Sequence, residues 1–169
     1  FVDPATTGLV VEALVAAGVA AEGTTPVTNA LAFLARTQDE SGGWPAERGG
    51  DIDPDATAWP IGALRAAGFS PSEGCWRPDD DEPYLDPTSS LVELQEADGA
   101  VTGGLDPVTS TALAVQALEG RWLPTSRAAA VDCSPEKSSL AVPPSLVVLV
   151  VFALVLRVGS VLILRGSGS

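Results

Sequence analysis

Three times along this chain an Asp-Pro dipeptide opens a run of small and branched apolar residues that ends at glycine. The runs go from Asp3-Pro4 to Gly18, from Asp53-Pro54 to Gly68 and from Asp106-Pro107 to Gly120. Their starts lie about 50 residues apart, a period at which stacked supersecondary units are the first architecture to consider. Each start has the same chemistry. Aspartate offers an oxygen to the unpaired N–H groups of a first helical turn, and proline in that turn lacks an N–H that would have had no partner. In the first copy Leu9, Val10, Ala13, Leu14 and Ala17 recur at helical spacing before Gly18 caps the end. The third copy holds one more residue before its Ala-Leu pair, Ala117-Leu118.

Further helix starts stand between these, at Thr25-Pro26 and Asp86-Pro87. The pattern therefore predicts helices near 5–17, 26–37, 56–67, 87–96 and 107–119, paired as helical hairpins. Pro60 interrupts the third of them, and its missing N–H places the regular part of that helix from about Trp59 onward. The stretches Ser41–Asp51 and Gly68–Pro83 are rich in Gly, Pro and Asp and read as long loops on one face of the array.

The second helix ends in Phe33-Leu34-Ala35-Arg36-Thr37-Gln38-Asp39-Glu40-Ser41-Gly42-Gly43-Trp44. Leu91 to Val101 repeats the pattern with Gln95 and Gly99 and with Val101 in the tryptophan position. The spacing of Phe33, Leu34, Gln38, Gly42 and Trp44 is that of a QW repeat. It resembles the squalene–hopene cyclases and the wider terpenoid-cyclase and prenyltransferase superfamily. The resemblance covers roughly residues 1–124. It implies an all-α fold, a partial α/α toroid of helical hairpins, in which Gln ties one helix to the next and Trp covers that joint. Five helices would leave such a ring open, so the resemblance also implies further repeats upstream.

In those cyclases an Asp-x-Asp-Asp-Thr-Ala motif heads a cavity-lining helix and a protonated Asp starts polyene cyclisation. Here Asp53-Pro54-Asp55-Ala56-Thr57-Ala58 places Asp53 at the first Asp and Asp55 at the proton donor, with Ala56 in the last Asp position. A general acid of this kind needs a carboxyl group kept protonated by burial and a neighbouring charge. The plain alternative is that Asp53 caps its helix, as Asp3 and Asp106 would. Only 5% of the chain is aromatic, which is poor for stabilising carbocations over π faces. A non-enzymatic role is therefore the leading expectation, with a terpene cyclase using Asp55, and Asp53 beside it, as the alternative. If the toroid holds a ligand, Trp59, Asp55 and Thr57 are its candidate contacts.

The chain also resembles the toroid half of the cobalamin carriers transcobalamin and intrinsic factor, and more closely bacterial surface proteins in which such repeats precede a membrane anchor. Cys75-Trp76-Arg77 and Trp122-Leu123-Pro124 carry that likeness. It implies a small-molecule ligand, at most cobalamin-like, or a surface-protein partner. No other cofactor is expected.

Charge supports a location away from nucleic acid. The net charge is −13, and the Lys and Arg clusters that hold phosphates are missing. Histidine is absent, which removes the commonest metal ligand near neutral pH, and no metal centre is expected. Asp51, Asp53 and Asp55 imitate the start of a calcium loop, but Ala56 replaces its turn glycine and Gly62 its bidentate Glu. The acidic run Asp79-Asp80-Asp81-Glu82 reads as a solvated loop.

Beyond residue 124 a linker is expected over 125–142. From 143 to 165 an apolar segment interrupted by Arg157 is long enough to span a bilayer once in a helix. Arg157 and Arg165 are its only basic residues, which places the short tail, 166–169, in the cytoplasm and the repeats outside the cell. In an oxidising compartment Cys75 and Cys133 could pair with each other, or remain separate.

Overall fold

The computed structural model describes residues 3–19, 25–77, 86–121 and 128–132. Among them are five α-helices: α1 (Pro4–Ala16), α2 (Thr25–Thr37), α3 (Pro54–Ala66), α4 (Pro87–Glu93) and α5 (Pro107–Glu119). A single 3-10 turn, Gly74–Trp76, lies in the loop after α3. No β-strand occurs among the described residues, and the backbone contributes only two isolated bridges, Pro45 with Ile52 and Gln95 with Val101. The described chain is all-α.

Each Asp-Pro helix is capped as its sequence predicts. Asp3 accepts from the Thr6 N–H and Asp53 from the Ala56 N–H, both at 2.7 Å. Asp106 accepts from the N–H groups of Val108 and Thr109, both at 3.0 Å. Such a cap contributes about 1 kcal/mol to a helix. All three helices are 13 residues long. They differ at their C-terminal caps. In α1 and α3 an alanine cap precedes a glycine at positive φ, Gly18 or Gly68, whereas in α5 Gly120 is itself the left-handed cap.

The Asp-Pro helices α1, α3 and α5 pack side by side in chain order. Helix α2 lies against α1, and α4 lies against α3 and α5. This is a two-layer arrangement of helical hairpins with α3 at its centre. Ala56, Ala63, Leu64, Ala66 and Ala67 of α3 join Val11, Val15, Val27, Leu31 and Leu34 in one core. Ala58 and Ile61 face the other way, into a second core with Leu91, Val101, Ala114 and Ala117.

Central position explains why α3 departs from the sequence expectation. Its helix begins at Pro54 and runs unbroken through Pro60 to Ala66, rather than starting near Trp59. A proline inside a helix costs about 3 kcal/mol. Burial on two sides offsets that cost, and Pro60 itself is fully buried. Close approach of α1 adds to it. A Cβ on Gly8 would stand 2.7 Å from the Trp59 carbonyl carbon and oxygen and 2.9 Å from the Pro60 nitrogen. Only glycine allows the two backbones to meet there.

Helix α4 is shorter than expected, ending at Glu93, because Gln95 already belongs to the following turn. Of the expected linker, residues 128–132 are described, and they are docked rather than extended away. The N–H of Ala128 donates to the Ala66 carbonyl at 2.8 Å and that of Val131 to the Gly68 carbonyl at 2.9 Å. These bonds satisfy carbonyls that the end of α3 leaves exposed.

No helix among the described residues is long and apolar enough to cross a membrane. The expected membrane segment 143–165, the tail 166–169, the acidic run 79–82, Trp122 to Pro124 and Cys133 lie outside the described residues. Cys75 is disulfide-bonded.

Candidate functional site

The glycine turn after α2 is built from its own glutamine. Gln38 Nε2 donates to the Gly42 carbonyl at 2.7 Å, and Gln38 Oε1 accepts from Arg77 Nη1 at 2.9 Å. The second copy repeats the first of these bonds, with Gln95 Nε2 donating to the Gly99 carbonyl at 3.0 Å. Backbone bonds match as well: Asp39 N–H to the Gly43 carbonyl at 2.9 Å, and Glu96 N–H to the Ala100 carbonyl at 2.7 Å. Gly42 and Gly99 both have positive φ, 92° and 90°. The two sequence copies are thus one turn made twice.

Trp44 closes the first turn. Its indole N–H donates to the Leu34 carbonyl at 2.9 Å, and its ring lies 6.3 Å from that of Trp76 at a 43° tilt. Trp44 is fully buried. Removing about 200 Å² of its surface from water is worth on the order of 5 kcal/mol as an upper limit. Phe33 and Leu34 belong to the same core, Leu34 fully buried and Phe33 partly so.

At the head of α3 the acidic stretch divides its side chains among three segments. Asp53 turns back onto its own helix as the cap. Asp55 reaches forward, its Oδ2 accepting the Leu105 N–H at 2.9 Å. Thr57 reaches back to the first turn, its Oγ1 accepting the Trp44 N–H at 3.0 Å and donating to the Trp44 carbonyl at 3.3 Å. The second turn has a related bond, from the Val101 N–H to Thr111 Oγ1 at 2.9 Å. Trp59 is half-buried and packs against the second core.

Beside Leu105, Gly104 lies over Asp55 and Ser110. A Cβ there would fall 2.7 Å from Asp55 Oδ1 and still nearer to Ser110 Oγ. Both oxygens are buried without a hydrogen-bond partner among the described residues. Gly104 fills the space above them with backbone alone.

Three of the capping carboxyls, Asp53, Asp3 and Asp106, differ electrostatically. Burial pushes Asp53 above the ordinary carboxylate value, and the nearby Asp55 charge adds to the rise against the Ala56 hydrogen bond. Burial acts the same way on Asp3, but the hydrogen bonds from Thr6 outweigh it and the carboxyl lies below the ordinary value. Hydrogen bonds from Thr109, then Val108, hold Asp106 low.

A cavity of about 800 Å³ opens elsewhere, between the start of α1, the end of α2 and the loop over residues 45–50. Pro4, Phe33, Arg36, Gln38, Glu47 and Arg48 are among its lining residues. Asp53, Asp55, Thr57 and Trp59 are not. The structure therefore brings Asp53, Asp55 and Thr57 together at one helix end but does not bring them to this cavity. Sequence reasoning marks Phe33 and Gln38 for the turn and the 41–51 segment as a loop. It misses Arg36 and Arg48, because nothing in local spacing shows that the loop folds back over the end of α2. No group of three His, Cys, Asp or Glu placed to hold a metal ion occurs among the described residues.

Compared with known proteins, the chain matches no family model, no curated protein and no solved structure.

Proposed function

We propose that this chain is a non-enzymatic helical-hairpin repeat protein that binds a ligand or partner outside the cell, held at the membrane by its C-terminal apolar segment. One observation carries the non-enzymatic reading. The residues that a cyclase would need each serve the fold: Asp53 caps its own helix, Asp55 accepts the Leu105 N–H and Thr57 accepts the Trp44 N–H. A proton donor must instead face a substrate, in a pocket that excludes water. The QW-type turns support kinship with the toroid proteins at the level of architecture.

The cavity over α2 is the proposed ligand site. Phe33 lines it together with two cations, Arg36 and Arg48, and two carboxylates, Asp39 and Glu47. This suits a small molecule with an apolar body and polar groups of both charges. The exterior location rests on the disulfide-bonded Cys75, which fits an oxidising compartment, and on the apolar run from 143 to 165 with its basic residues Arg157 and Arg165.

Native mass spectrometry of the full chain, isolated gently in detergent, tests the reading. A co-purifying molecule of defined mass, released by Arg36→Ala together with Arg48→Ala, supports the cavity. An empty protein shifts the function to scaffolding. The same preparation is offered squalene and shorter polyprenyl substrates. Turnover abolished by Asp55→Asn would overturn the non-enzymatic reading.

A further inference from the structure

The strap over residues 128–132 lies on the C-terminal end of α3. Its Ala128 and Val131 N–H groups donate to the Ala66 and Gly68 carbonyls at 2.8 and 2.9 Å. Ala128 also packs, partly buried, against the first core. Gly68, at φ 90°, allows the approach, because a Cβ on it would collide with the Ala129 carbonyl. The strap is nonetheless a thin element: Ala129, Ala130 and Asp132 are exposed.

The loop that follows α3 is held more firmly. It turns twice on itself, the Glu73 N–H donating to the Ser70 carbonyl at 3.1 Å and the Arg77 N–H to the Gly74 carbonyl at 3.0 Å. Trp76 is buried against Trp44, and Arg77 donates to Gln38 on the first turn. Cys75 sits next to Trp76 but is itself exposed. It is disulfide-bonded, and the chain holds one other cysteine, Cys133, the residue after the strap. Cys133 is therefore its partner within the chain, and the bond ties the strap to the loop.

We infer that this disulfide is a redox-sensitive latch, holding the strap on α3 when oxidised and releasing it when a dithiol reductant opens it. Two observations select a latch over a passive staple. Cys75 is exposed, and exposed disulfides are the labile ones, open to thiol exchange. The two sides are also unequally held: Trp76 and Arg77 keep the loop in place, so opening frees the strap and leaves the helices packed. In the exchange a thiolate of the reductant attacks Cys75 Sγ, and Cys133 leaves as a thiolate that takes up a proton. The reductant's second thiolate then displaces Cys75 Sγ, which is protonated in turn. Two electrons pass to the chain, which gains two thiols, and the dithiol becomes a disulfide. The strap leads toward the apolar segment 143–165, so opening also lengthens the tether between the helices and that segment. This last consequence rests on the proposed anchoring; the latch itself does not.

Hydrogen exchange on the full 169-residue chain in non-ionic detergent tests this. Non-reducing peptide mapping should first give one linked pair carrying Cys75 and Cys133. Dithiothreitol, at neutral pH and without denaturant, should then open the bond within minutes. After opening, the Ala128 and Val131 amides should exchange about ten-fold faster, while amides within α1, α3 and α5 change by less than about two-fold. The double variant Cys75→Ser, Cys133→Ser should match the reduced chain and ignore the dithiol. Absence of the linked pair overturns the inference. A bond that resists dithiothreitol until urea is added overturns it in favour of a structural staple. Strap protection unchanged by opening, or protection lost equally from strap and helices, overturns it as well.

Discussion

Trp44 and Thr57 stand 13 residues apart and hydrogen-bond to each other twice, the Trp44 N–H to Thr57 Oγ1 at 3.0 Å and the Thr57 hydroxyl to the Trp44 carbonyl at 3.3 Å. Both are fully buried. This pair fastens the first turn to the head of α3, and with Asp55 holding Leu105 it makes α3 the joint between consecutive hairpins.

Thr57→Val keeps the volume and leaves the buried Trp44 N–H without its acceptor. A donor orphaned in this way costs about 1–3 kcal/mol. Urea denaturation should show the midpoint falling for Thr57→Val and largely retained for Thr57→Ser. Equal loss in both variants would show that packing of the threonine methyl matters more than its hydroxyl.

The two glutamines predict an inequality. Gln38 holds its turn and also accepts from Arg77, 39 residues away, in a part-buried setting, whereas the Gln95 bond is exposed. Gln38→Ala should cost about 1–2 kcal/mol and Gln95→Ala less than about 1 kcal/mol. The Gln38→Ala effect should also shrink when Arg77 is already alanine, which a double-mutant cycle would measure.

Helix contact at Gly8 predicts sensitivity to a single methyl group. Alanine favours a helix over glycine by about 1 kcal/mol, but a Cβ here meets the Trp59 and Pro60 backbone, and overpacking costs about 1–3 kcal/mol. The net expectation for Gly8→Ala is destabilisation, read as a lower thermal midpoint. Gly18→Ala offers a contrast, because a Cβ there meets nothing within 4 Å and only its positive φ opposes the change.

The capping carboxyls predict opposite pH responses. Asp3 is held below 3.8, so its stabilising effect is present above that value and is lost as pH falls through the lowered pKa. Asp53 is held above 3.8, so its contribution is full below that value and is lost as pH rises through the raised pKa. Asparagine caps a helix about as well as aspartate. At neutral pH Asp53→Asn should therefore match or exceed the wild-type denaturation midpoint, and Asp3→Asn should fall below it. Both differences should narrow in acid. A lower midpoint for Asp53→Asn at neutral pH would show that its charge is favourable in place.

Much of this fold is legible in short stretches because the forces that set it act over a few residues. The Asp-Pro caps close over two or three positions, and Gln38 to Gly42 and Gln95 to Gly99 close over four. Residue type and spacing therefore determine by themselves where helices begin, where the turns fall and that the chain repeats. Tertiary structure decides the rest. Helix α3 passes through Pro60 because burial on both flanks offsets a local cost, and Asp55 becomes a strut to Leu105, 50 residues ahead, because α5 packs alongside. The cavity walls at Arg36 and Arg48 meet only once the loop returns over α2. A hydrogen bond within a turn depends on local geometry, whereas one between hairpins exists only after apolar packing has placed its donor and acceptor side by side.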